Sequence, residues 1–209
     1  MDPVTLAVAI AKAKAYTDET ALAAGGAKGH HTIGGYYTRV QASQLTTTNA
    51  HGNEAGHLSV VSFARTVSVD RIGINTTAPG EAGSVVRLGI YRLPASGNVW
   101  DRVLDAGTVD ATTVASMVQI TIDQELTPGI YGLMYVAQNA PTTRPTVRNV
   151  LASDSGGFGN PWAFIPDNIP QREFHGLVAT GFAAGALPAT FTPTTILTNT
   201  PVVYVRVKA

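Results

Sequence analysis

The sequence predicts a mainly β chain, an antiparallel β-sandwich preceded by one N-terminal α-helix. Three observations carry that expectation. From Leu58 onward apolar residues recur with a period of two, the spacing at which one face of a strand is buried. Short runs of this kind are punctuated by Gly and Pro, with no helical segment between them, as in an all-β sandwich or barrel. Of the 209 residues 44% are hydrophobic and only 13% charged, which supplies a sizeable core and is too apolar for a disordered chain.

Residues 2–24 are the one segment with a helical period. Asp2 suits the N-cap, Pro3 the first helical position, and Gly25-Gly26 ends the run. Leu6, Ile10, Ala13 and Thr17 share a face at spacings of three and four, while Lys12, Asp18 and Glu19 fall elsewhere. That seam is narrow, and an isolated helix of this length is marginal in water. It therefore needs a partner: its own domain, two further copies of itself, or a docking surface on a larger particle. Lys12 and Lys14 break the apolar run, so neither a signal peptide nor a membrane span is expected. Residues 1–26 are accordingly assigned to attachment or oligomerisation, and 27–40 to a Gly-rich linker that enters the first strand near Tyr36. The sandwich domain takes 41–209.

Within that domain Leu58 to Phe63, Val67 to Ile74 and Val85 to Tyr91 read as strands. Between Val69 and Ile72 the apolar parity slips by one, which places a bulge or bend at Asp70-Arg71. Ala78-Pro79-Gly80 and Pro94 to Asn98 are turn signals. Val99 to Leu104, Gly107 to Val109 and Met117 to Ile122 are further short strands, and Ile130 to Val136 is the most strand-like run of all. From about 137 to 176 the pattern fails under Pro141, Pro145, Pro161, Pro166 and Pro170. An irregular excursion of that length is usually functional or interfacial. It carries Phe158, Trp162, Phe164 and Phe174, aromatics suited either to capping the sandwich or to meeting a neighbouring subunit or a sugar ring. The segment from Pro201 to Val207 alternates as a closing strand.

Several of these segments resemble a group of phage virion proteins with a jelly-roll-like domain, found among tail and capsid appendages. The residues concerned are Val69-Asp70-Arg71-Ile72-Gly73-Ile74, Ala82 through Tyr91, Leu104 through Asp110, and Leu126-Thr127-Pro128-Gly129-Ile130-Tyr131. Lys14-Ala15-Tyr16-Thr17-Asp18-Glu19 is similar to the leading helix of phage fibre and baseplate proteins. The resemblance implies a jelly-roll-like sandwich in a virion component, commonly trimeric, that decorates the particle or contacts the host. Its motifs are strands and turns, so they speak to fold and setting more than to chemistry.

The chemistry weighed from the residues is sparse. With 14 basic and 14 acidic residues, the chain shows no electrostatic footprint for nucleic acid. The lack of cysteine removes disulfides, thiolate metal sites and cysteine nucleophiles. Asp154-Ser155-Gly156-Gly157, with His51 and Asp101 before it, follows the order of chymotrypsin-like proteases, but Ser153 and Gly52 depart from that pattern. Among His30, His31, His51, His57 and His175, the pair His51 and His57 lies near one strand start, yet no spacing matches a zinc signature. Asp105 and Asp110 sit where an Asp bonds its own backbone. No catalytic residue, metal ligand or cofactor is therefore assigned. The expected partners are other virion proteins, capsid or tail and baseplate, together with two further copies of the chain as a homotrimer. Neither nucleic acid nor membrane insertion is expected. The alternative is a module that recognises host-surface carbohydrate through Tyr37, Trp100 or the aromatics of the excursion.

Overall fold

The computed structural model describes residues 36–37, 47–63, 65–94, 99–151, 176–197 and 199–208. The predicted helix at 2–24, with Leu6, Ile10, Ala13 and Thr17, lies outside these residues, as do Phe158, Trp162, Phe164 and Phe174. The described part is mainly β, and every pairing between its strands is antiparallel. In chain order the strands are β1 (Tyr36–Tyr37), β2 (Thr47–Ala50), β3 (Ala55–Phe63), β4 (Val67–Ala78), β5 (Val85–Arg92), β6 (Trp100–Asp110) and β7 (Ala115–Leu126). They continue with β8 (Gly129–Gln138), β9 (Thr146–Leu151), β10 (Gly176–Thr180), β11 (Thr190–Phe191), β12 (Thr195–Leu197), β13 (Asn199–Pro201) and β14 (Val203–Val207).

Two seven-stranded sheets result. One runs β1-β14-β4-β9-β13, with β7 also on β4 and β2 also on β9; the other runs β11-β6-β5-β8-β3-β10-β12. The main core lies between them. Val69, Ile72, Ile74, Val203 and Val205 come from the first sheet, and Val86, Leu88, Ile90, Leu133 and Tyr135 from the second, all buried. A second cluster covers the other face of the second sheet with Leu58, Val60, Tyr91, Trp100, Met134, Val136, Leu187 and Phe191. Alternate residues of β8 thus enter two different apolar clusters, which is why its sequence is a continuous hydrophobic run. Fully burying each such side chain contributes about 1.5–3 kcal/mol.

The parity slip in β4 is a bulge. Its register against β7 shifts between Val69 and Arg71, so Val69 and Ile72 both reach the core. The extra residue, Asp70, is joined to Arg206 of β14 by Nη2–Oδ2 and Nε–Oδ1 contacts of 2.6 and 2.8 Å. The arginine's hydrogen bond and charge hold the Asp70 carboxyl below its ordinary range despite the opposing cost of desolvation.

Three expectations are corrected. Val99 to Leu104 and Gly107 to Val109 are not two strands but the single β6. The sequence breaks at Asp105-Ala106-Gly107 because the strand bulges there: the register against β5 shifts between Leu88 and Gly89, and Gly107 takes φ +95°. The excursion is not irregular throughout, since residues 146–151 form β9 and pair with β2, β4 and β13. Pro145 stands just before that strand, where its missing N–H costs nothing. Finally, Trp100 is buried in the second cluster at 4% exposure, so its ring packs the core and presents no face to a sugar.

Candidate functional site

The most distinctive polar feature of the described residues is a histidine pair inside the protein. His51 follows β2 at the point where the chain leaves the first sheet. The crossover turns at Glu54, which has φ +54° and donates its N–H to the Ala137 carbonyl at 2.8 Å. The chain then enters the second sheet as β3. There His57 lies opposite Tyr135 of β8 and Val178 of β10. The odd-numbered positions of β3 that end in Phe63 face the core between the sheets, so His57 occupies a core-facing position. His51 and His57 are 4% and 5% exposed. Their ring centroids are 4.4 Å apart, and the Tyr135 ring stands 5.6 Å from the first and 6.0 Å from the second.

Asn149 of β9 completes the cluster. Its amide lies 2.8 Å from His51 Nε2. With the amide oxygen accepting from the Asn49 N–H at 2.7 Å, its nitrogen donates to the Arg148 carbonyl at 3.1 Å and to the imidazole. His51 Nε2 is then an acceptor and its proton sits on Nδ1. Neither nitrogen of His57, nor the Tyr135 hydroxyl, has a hydrogen-bond partner among the described residues. Burial lowers the His51 pKa. Burial, and secondarily the neighbouring His51, takes His57 down to about 3. Burial pushes the Tyr135 phenol up. All three groups are thus held neutral at pH 7.

The His51 lone pair that a metal would need already accepts from Asn149. Among the described residues no group of three His, Cys, Asp or Glu is placed to hold an ion. His51 has Asn149 and not Asp101 as its partner, while Asp101 is exposed on β6. Asp154 and Ser155 lie outside the described residues, as do His30, His31 and His175.

The carboxylates considered for chemistry are engaged in the fold. Asp110 accepts from the Thr112 N–H at 2.8 Å and its hydroxyl at 2.7 Å, the local bonding expected of it. Asp105 accepts from Gly107 N–H at 3.2 Å, but its main partners are Arg87 and the Leu187 N–H. Beside Leu187 the segment between β10 and β11 borders an open depression of about 290 Å³ lined by Ala179, Phe182, Pro188 and Phe191 among others. Of the aromatics named from sequence, Tyr37 lies on β1 opposite Val205 of β14, and Trp100 is core. The sequence gives no sign of Asn149 or Tyr135 as partners of the histidines. The strand parity of His57 with Phe63 was the available signal.

No family model matches the chain, and no curated protein matches it.

Proposed function

We propose that this chain is a non-enzymatic structural component of a bacteriophage virion, a homotrimeric capsid decoration, fibre or tail appendage protein. Its two sheets form a jelly-roll-like sandwich displayed outward, and residues 1–26 attach it to the particle. What supports the reading is where the segments that resemble phage appendage proteins lie. Val69 to Ile74 carries the β4 bulge and the Asp70–Arg206 pair. The segments 82–91 and 104–110 hold the Arg87–Asp105 pair. The segment 126–131 holds the turn in which the Tyr131 hydroxyl donates to the Thr127 carbonyl at 2.8 Å. The resembling residues are thus those that set register and bends, as a shared scaffold requires.

The test has two arms. Immunogold labelling of purified virions with antibody to the chain should decorate the particle, and native mass spectrometry should return three times the 21.8 kDa chain mass. A variant lacking residues 1–24 should keep its far-ultraviolet β signature and be absent from particles. Unlabelled virions, or incorporation unchanged by the deletion, would sink the reading.

A further inference from the structure

The histidine pair ties the two sheets together at one end of the core. Asn149 belongs to β9 of the first sheet, and His51 ends the segment that leaves β2, its neighbour there. His57 and Tyr135 belong to the second sheet. Ring packing and one amide hydrogen bond therefore join the crossover 51–57 to both layers. We propose that this cluster is a proton-operated latch: with both imidazoles neutral it fastens the 51–57 crossover to β9, and protonation releases it while the apolar core holds.

The consequence of each proton follows from the geometry. A proton on His51 Nε2 would face the Asn149 NH2, donor against donor. The amide could answer by rotating, but it would then lose its bonds to Asn49 N–H and the Arg148 carbonyl. A proton on His57 would create a buried charge 4.4 Å from His51 with no acceptor among the described residues, an arrangement that favours opening to water. The described residues that pair with His57 and Asn149 in the sheets bring no charge to the cluster. β8 contributes the phenol of Tyr135, β10 Val178, and β13 Pro201, which lies opposite Asn149. On β9, the charge of Arg148 acts on the Tyr204 phenol. Glu54, in the turn between the histidines, makes no hydrogen bond to either ring. Ordinary histidine titrates near 6.5, so the released form gains protons that the latched form does not. Stability of the latch is full above about pH 6.5 and falls as the pH drops below it.

Hydrogen exchange on the intact chain tests this, with His30, His31 and His175 changed to Gln so that the pair are the only histidines left to titrate. Corrected for intrinsic rates, protection of residues 47–57 and 146–151 should fall by about tenfold per pH unit between pH 6 and 4 through His57, and more steeply where His51 also takes up its proton only on release. β5 and β8 should stay protected. His57→Phe should reduce that slope. If it fails to fold, the histidine Cε1 proton resonances of the triple-Gln chain decide instead. Resonances of both remaining histidines titrating near 6.5 in the folded protein, or uniform loss of protection across both sheets, would overturn the latch.

Discussion

Arg87 and Asp105 face each other across β5 and β6 in a two-point ion pair, with Nε–Oδ1 and Nη2–Oδ2 both 2.9 Å. The same carboxylate accepts the Leu187 N–H at 3.0 Å, and Arg102 donates to the Leu187 carbonyl. One carboxylate thus holds both a strand pair and the segment that covers the second cluster. Both side chains are more than four-fifths buried, so the pair escapes most solvent screening. Asp105→Asn keeps the shape and removes the charge, leaving the guanidinium poorly matched. The variant is expected to lose about 2 kcal/mol in urea unfolding and to become sensitive to proteolysis within 181–191. Unchanged cleavage there would show that the pair does not fasten the segment.

A second prediction separates this pair from the histidines by pH. Burial raises the Asp105 pKa, but Arg87 and the N–H groups of Leu187 and Gly107 outweigh it and hold the carboxyl below its ordinary value. The unfolded chain, at about 3.9, then binds the proton more readily than the folded one. The stabilisation is full above about pH 4 and is lost as pH falls through the folded value. Asp105→Asn should therefore leave the pH dependence between 6 and 4.5 untouched and flatten it only in stronger acid, read from unfolding midpoints at each pH.

Trp100 gives a prediction about binding. Its ring lies in a buried cluster with Tyr91 and Phe191, so removal should cost packing and not recognition. Trp100→Ala is expected to lose about 3–5 kcal/mol, and Trp100→Phe much less. Carbohydrate binding by the folded Phe variant, if the protein has any, should equal that of the wild type on a glycan array.

The bulge in β4 predicts an asymmetry between substitution and deletion. Asp70→Asn keeps the backbone count, so Val69 and Ile72 still both reach the core. Deleting Asp70 removes the extra residue and turns one side of the strand outward, since a slip of one reverses every following side chain. Circular dichroism should show a folded Asn variant and a deletion that fails to form the native sheets.

How much of this was legible depends on range. The bulge could be read because Val69 and Ile72 lie three apart in a strand of period two, a purely local contradiction. The central strand β8 was legible because burial on both faces leaves a continuous apolar run, and β5 because Val86, Leu88 and Ile90 alternate on one face. β6 was read as two pieces because Gly107 and the acidic Asp105 imitate a turn, and only their partners on β5 and at Leu187 reveal a bulge within one strand. β9 was hidden because its stabilisation comes from β2, β4 and β13, each distant in sequence. The histidine cluster failed for the same reason: Asn149 stands 98 positions from His51, and no local pattern announces such a partner.

Gly89 supplies the last prediction, and it joins the strand register to the covering segment. A Cβ at this position of β5 would collide with the Leu187 side chain and lie 2.7 Å from the Leu104 carbonyl oxygen. Leu187 can swing its side chain only about a backbone whose N–H and carbonyl are both fastened, to Asp105 and Arg102. The carbonyl belongs to the paired strand β6 and cannot retreat without breaking the ladder. Gly89→Ala should thus lose about 1–3 kcal/mol through overpacking, despite alanine's smaller conformational entropy in the unfolded chain. Combining it with Leu187→Ala should recover part of that loss by vacating the space, although the carbonyl contact remains. Urea unfolding of the two single variants and the double variant forms a cycle, and strictly additive losses would show that Gly89 is not the seat on which Leu187 rests.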